Sequence, residues 1–320
     1  MAQRTDPPSS VFDGTNSSYR SDLVRLTVRT KRFGNTLVYS SAFMAFVAAV
    51  EVGIATALLG LPVTPAPLVV GLVAFAVYTI DSVADADTDV RSNPDRANYA
   101  RRYADQLMIA AAVAYGVAVA LALVGGPAAL ALTLLPGAFW VLYASDWLPS
   151  LGRATGRFLG SVPRLKDVLL VNSVLVALGW AVAVTFLPLA FAGVAITPAV
   201  GVVFGYFFLR SFVDAELPNV RDVDADAAIG VATLPIVVGV EWTRRALYAV
   251  DLATATLVAA AVSMGLFAWP LAAALLVGVA ISVGVTALAG RTSKPDLLGI
   301  APDCSYIVVG VVIVGVWLLG

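Results

Sequence analysis

Nine stretches of roughly 20 mostly apolar residues recur along this chain, each long enough to cross the hydrocarbon core of a bilayer as a helix. They fall near 37–60, 62–83, 106–124, 127–145, 167–187, 190–212, 246–266, 269–290 and 300–319. The runs are continuous and lack alternating polarity, so helices are expected and a membrane β-barrel is not. With 60% hydrophobic and 13% charged residues, the chain is too apolar for an ordinary soluble domain. The expected fold is all-α: a polytopic bundle of nine transmembrane helices around a central cavity.

Charge placement supports this count. Arg4, Arg20, Arg25, Arg29, Lys31 and Arg32 precede the first run, and Arg91, Arg96, Arg101 and Arg102 follow the second. Arg153, Arg157, Arg164 and Lys166 follow the fourth. Arg210, Arg221, Arg244 and Arg245 follow the sixth, and Arg291 and Lys294 the eighth. The connections near 61, 125, 188 and 267 carry no charge. By the positive-inside rule the N-terminus is cytoplasmic and the C-terminus outside, in a multi-pass cell-membrane protein. Residues 1–18 read as a disordered cytoplasmic tail and 19–320 as one transmembrane domain, with no signal-peptide pattern at the start. The segments 84–105 and 213–244 follow runs four apart and both open on acidic residues, a weak hint of two similar halves.

The chain has no histidine and one cysteine, Cys304, which excludes imidazole ligation, an internal disulfide and a cysteine-cluster metal site. Carboxylate, amide and hydroxyl oxygens remain as metal ligands, and they are concentrated at two places. Asp81, Asp85 and Asp89 recur every fourth residue at the end of the second run, which puts them on one helical face, with Asp87 among them. Pro94 is expected to stop that helix and leave Arg96 in a loop. Asn219, Asp222 and Asp226 repeat the pattern after the sixth run. Hard oxygen ligands with open positions suit Mg²⁺, which usually takes one or two carboxylates and completes its shell with water and substrate phosphate. Two such groups facing each other across a cavity hold a diphosphate as leaving group, with Arg96, Arg221 or Lys166 neutralising the remaining oxygens. Asp85, Asp222 and Lys166 are the expected catalytic residues.

Other charges have plainer readings. Asp87, Asp95, Asp224 and Glu216 solvate helix ends and balance nearby arginines. Asp85, Asp89, Asp222 and Asp226 are too dense for that without a compensating cation. An EF-hand reading of D-A-D-T-D lacks the Gly at the sixth position and the Glu at the twelfth. Arg25 and Arg29 read as lipid-headgroup contacts. Glu51, near the middle of the first run, is the acid clearly at membrane depth and should face the bundle interior. Tyr78, Tyr206 and Phe207 read as packing residues that could also face a carbocation.

The paired acidic motifs resemble those of the UbiA-type intramembrane prenyltransferase family, and the resemblance covers most of the chain. The family's first motif, N-D-x-x-D-x-x-x-D, is matched by Asp81, Ser82, Asp85 and Asp89, with Pro94 and Arg96 at its downstream Pro and Arg. Asp81 stands where the family has Asn, and Ser82 where it has the first Asp. The second motif is matched by Asn219, Arg221, Asp222 and Asp226, followed by Gly230, Thr233, Leu234 and Pro235. Lys166 and Asn172 lie in R-L-K-D-V-L-L-V-N, similar to a family segment with a basic residue and an amide near the pocket. The resemblance implies Mg²⁺-dependent transfer of a prenyl group from a polyprenyl diphosphate to an aromatic, quinone-precursor or lipid acceptor. It implies metal ligation by Asp81, Asp85, Asp89, Asn219, Asp222 and Asp226, and diphosphate binding by Arg96, Arg221, Lys166 and Asn172. The implied partners are the donor, a hydrophobic or aromatic acceptor and the bilayer, with no nucleic acid. Two other functions compete: a CDP-alcohol-type phosphatidyltransferase, whose D-G-x-x-A-R signature neither cluster supplies, and a cation transporter, whose site would lie nearer the midplane.

Overall fold

In the computed structural model of the chain, residues 41–87, 94–144, 171–294 and 297–319 are described, and every regular element among them is helical. The first apolar run forms α1 (Ala42–Leu58). A short connection leads to α2 (Ala66–Ala84), with Pro67 in its first turn, where a missing N–H costs nothing. The short polar helix α3 (Pro94–Arg102) leads into α4 (Ala104–Ala122). A 3-10 turn and Gly126, at φ 84°, separate α4 from α5 (Gly126–Ala144), and the two helices pack on each other as a hairpin.

The remaining chain forms α6 (Val171–Ala192) and α7 (Pro198–Arg221), then the short helices α8 (Val223–Ile229) and α9 (Leu234–Val238). Three long helices, α10 (Val240–Ser263), α11 (Trp269–Leu288) and α12 (Leu297–Leu319), complete it. Six helical segments among the described residues are long and apolar enough to cross a membrane, so this is a multi-pass membrane protein.

The long helices close on themselves. α1 packs on α2, α2 on α4 and α5, α5 on α6, and α6 on α7. α7 packs on α10, α10 on α11, α11 on α12, and α12 returns to α1. The main core includes Val47, Val70, Phe207, Leu275 and Val309, from α1, α2, α7, α11 and α12. Small residues set the close approaches, as packing in lipid requires. A Cβ on Gly71 would lie 2.9 Å from the Ala45 carbonyl oxygen of α1, and one on Gly278 would lie 2.6 Å from Val309 Cγ2 of α12.

Three sequence expectations are corrected. The sixth run, read as 190–212, is displaced: Pro188 lies inside α6, and α7 runs from Pro198 to Arg221. Arg210 therefore lies inside α7, fully buried, and is not a loop cation. Hydropathy placed the boundary at Arg210 and Asp214 because it scores each charge as exposed to lipid, whereas these two face one another inside the bundle. Likewise Arg244 and Arg245 lie in the first turns of α10. Finally, Pro94 opens α3 and places Arg96 on that helix; α2 has already ended at Ala84.

A candidate diphosphate site between two acidic helix ends

The acids of both motifs sit at the C-terminal ends of long helices, and the backbone treats them alike. Asp85 caps α2 at φ −94°, ψ 8°, its N–H donating to the Asp81 carbonyl at 2.9 Å. Asp222 caps α7 at φ −98°, ψ 10°, its N–H donating to the Pro218 carbonyl at 2.9 Å. Asp222 also opens α8, and the Asp226 N–H donates to the Asp222 carbonyl at 2.9 Å, so these two acids are one helical turn apart. A helix C-terminus already carries partial negative charge from its unpaired carbonyls. Carboxylates placed there are opposed by the helix itself and call for a cation.

Part of that demand is met by arginines. Arg221 meets the Asp222 carboxylate with both arms of its guanidinium, Nε to Oδ1 at 2.8 Å and Nη2 to Oδ2 at 2.5 Å. Its other end lies against Gly299 of α12, where a side chain would collide with it. Arg96, on α3, donates to the Ser82 hydroxyl from Nε at 3.2 Å and from Nη2, while Ser82 donates to the Tyr78 carbonyl at 2.7 Å. The serine that replaces the family's first Asp thus anchors the arginine of the same motif.

Asp81, Asp85, Arg96, Asn219, Arg221, Asp222 and Asp226 are all half-buried. By contrast Asp87, Asp95 and Asp224 are exposed, and Asp87 pairs with Arg101 at 2.7 Å. Glu216, read from sequence as an edge charge, is buried on α7: Oε2 accepts from Asn219 Nδ2 at 3.1 Å, and Oε1 has no hydrogen-bond partner. Asp89 and Lys166 lie outside the described residues, as does the side chain of Asn172.

The two helix ends belong to one end of the bundle. α12 touches α7 and α1, and its N-terminal half carries Tyr306, whose hydroxyl donates to Asp214 of α7 at 2.6 Å. α12 thus reaches the acidic end of α7, where Gly299 lies against Arg221.

Below those ends the bundle is more polar than its hydropathy suggests. Glu51 is buried, accepting from the Trp180 indole N–H at 2.5 Å, and the Tyr78 ring meets Trp180 edge-on at 6.0 Å. Arg210 donates to Ser305 Oγ at 2.8 Å, approaches Asp214 at 3.5 Å and Asp251 at 3.7 Å, and lies over the Tyr306 ring at 5.4 Å. Glu51 is thus not alone at depth: Asp214, Asp251 and Asp303 lie inside α7, α10 and α12. Asp251 and Asp303 are lone acids in apolar runs and Asp214 sits between Arg210 and Glu216, so no local spacing marked any of the three.

Mg²⁺ fits this donor set. Among the described residues no three acids converge tightly enough to hold a cation unaided. The fit lies in the donor types: half-buried carboxylates and an amide oxygen are hard ligands, and Mg²⁺ takes one or two of these and completes its shell with water and substrate phosphate. The orphaned Glu216 Oε1, on a carboxylate bonded to Asn219 and six residues before Asp222, is a buried oxygen in need of such a partner.

Among the described residues the chain is an all-helical, multi-pass membrane bundle in which two long helices end on acidic caps. The chain belongs to the UbiA prenyltransferase family, whose sequence profile it matches over residues 37–297. It is accordingly a prenyltransferase. No match is found among the curated proteins. Among solved structures the chain is similar to a UbiA homologue from Archaeoglobus fulgidus bound to GPP and Mg²⁺, with 14% identity, a TM-score of 0.59 and coverage of 86% of this chain and 96% of that one. The same homologue bound to DMAPP and Mg²⁺ gives 15% identity and a TM-score of 0.56, with the same coverage. A structure described for digeranylgeranylglyceryl phosphate synthase gives 14% identity and a TM-score of 0.55, covering 89% of this chain and 96% of that one. At these identities the likeness shows a common fold.

Proposed function

We propose that this protein transfers a prenyl group from a polyprenyl diphosphate to a hydrophobic acceptor at the cytoplasmic face of the cell membrane, with Mg²⁺. The observation that carries the reading is the matched pair of C-capping aspartates, Asp85 and Asp222, set against their helix dipoles at one end of the bundle. Family membership and the prenyl diphosphates and Mg²⁺ held by the Archaeoglobus homologue support it. In this reading the nine apolar runs are nine spans, with the N-terminus cytoplasmic and the C-terminus outside.

Asp81, Asp85 and Asp89 on one side, and Asn219, Asp222 and Asp226 on the other, would hold the metal, joined by Glu216. Bound Mg²⁺ would neutralise the diphosphate and make it a better leaving group. Arg96, Arg221, Lys166 and Asn172 bind the remaining diphosphate oxygens. Arg96 is pre-oriented by Ser82 and Arg221 by Asp222, so neither must be recruited from solvent. The apolar interior below accepts the prenyl chain and keeps water from the allylic cation.

The test is Mg²⁺-dependent diphosphate release from geranylgeranyl diphosphate by purified protein. Wild type should release it; Asp85→Ala combined with Asp222→Ala should reduce release at least about 100-fold, since both halves of the electrostatic clamp are lost. Release that survives the double substitution would overturn the reading, and cation flux in proteoliposomes without diphosphate release would favour a transporter.

A further inference from the structure

Glycine is a poor helix residue, and where it stands inside a helix without a positive φ its reason lies in the space beside it. Gly299, in the first turn of α12, is such a glycine, since its φ lies outside the left-handed region. A Cβ there would run into Nη1 of Arg221 on α7 and lie 3.6 Å from its Cζ. At no other described glycine is that space filled by a charged side chain.

The arginine is held from both sides. Nε and Nη2 are taken by the two Asp222 oxygens at 2.8 and 2.5 Å, so the guanidinium gives one edge to Asp222 and turns its remaining nitrogen to α12. Neither helix can step back to make room. Leu298, the residue before Gly299, is buried in one cluster with Val213, Leu217 and Val220 of α7. Further along α12, Arg210 donates to Ser305 at 2.8 Å and Tyr306 donates to Asp214 at 2.6 Å, which pins the two helices together. A side chain at 299 must therefore be accommodated by Arg221, whose long side chain is half-buried and can swing where a packed backbone cannot.

Resting on the prenyl-diphosphate reading above, we infer that Gly299 is a positioning residue for the donor's diphosphate and that it acts through Arg221. The gap left by its missing side chain is what lets the guanidinium grip Asp222 with two nitrogens and stay beside it. A methyl group at 299 displaces Nη1, breaks the paired grip and moves the charge that the diphosphate meets. Only the head group is involved. No part of this contact senses the prenyl tail, so filling the gap weakens donors of every chain length alike.

The test uses the whole chain, purified in detergent with Mg²⁺, as wild type, Gly299→Ala, Arg221→Ala and the double variant. Gly315→Ala, on the same helix with open space beside it, is the control. Binding of inorganic diphosphate and of dimethylallyl, geranyl and geranylgeranyl thiodiphosphates is measured calorimetrically, and the melting temperature of each variant is recorded. Gly299→Ala should weaken every ligand by the same factor, on the order of 10-fold, with a melting temperature no lower than wild type because alanine is the better helix former. Gly315→Ala should bind as wild type does. Once Arg221 is alanine, Gly299→Ala should change nothing further, since the group it displaces has gone. Wild-type affinity in Gly299→Ala, an equal loss in Gly315→Ala, or a loss that adds in full to that of Arg221→Ala would overturn the assignment. So would a loss that varies with tail length or comes with a lowered melting temperature. Wild type that binds none of these ligands would instead sink the prenyl-diphosphate reading itself.

Discussion

Arg210 shows how much a single residue decides here. It is fully buried, holds Asp214 and Asp251 on two helices, and reaches Ser305 on a third. Removing it leaves two enclosed carboxylates without a counter-charge, so Arg210→Ala should destabilise the protein by about 3–5 kcal/mol, read by thermal unfolding in detergent. An unchanged melting temperature would show that those acids are neutral or solvated. Trp180→Phe is a milder case: it strips Glu51 of its donor while keeping most of the apolar volume, and should cost about 1–3 kcal/mol. At this scale the sequence was partly legible. Four-residue spacing exposed Asp81, Asp85, Asp222 and Asp226, because periodicity is written in the chain. Asp303 and Asp251 were hidden, because a lone acid inside an apolar run acquires its role from the helix opposite, which no local pattern records. Glu216 was misread for a related reason, its burial depending on packing around the end of α7.

The helices themselves were read more easily than their ends. Apolar length found α1, α2, α4, α5 and α11 within a few residues, because hydrocarbon burial sets that length directly. It misplaced the boundary between α6 and α7, where charges that pair across helices mimic a loop. Helix pairing, invisible to hydropathy, is set by small residues. At Gly71 the obstacle to a larger side chain is the backbone oxygen of Ala45, which cannot swing aside as a side chain would. Gly71→Ala should therefore part α1 from α2 and lower stability by about 1–3 kcal/mol, whereas the same change at Gly53, which faces open space, should have little effect. Equal melting temperatures for the two variants would contradict this close-packing account.

For the whole molecule, the layout of basic connections against uncharged ones implies an orientation. In a Cys304→Ser background, Asp87→Cys should react with a membrane-impermeant maleimide from the cytoplasmic side and Met264→Cys from the outer side; both positions are exposed, at opposite ends of the bundle. Labelling of both from one side would contradict that topology. The account holds together because two helices four apolar runs apart in sequence end on aspartate caps of matching backbone geometry. Donor binding with and without Mg²⁺, measured calorimetrically with a non-hydrolysable geranyl thiodiphosphate, tests that idea most directly. Wild type should bind only with Mg²⁺, and Asp85→Asn and Asp222→Asn should each weaken binding at least about 10-fold, the loss expected when one charged contact of roughly 1.4 kcal/mol or more is removed. Equal binding in the absence of Mg²⁺, or wild-type affinity in both variants, would contradict it.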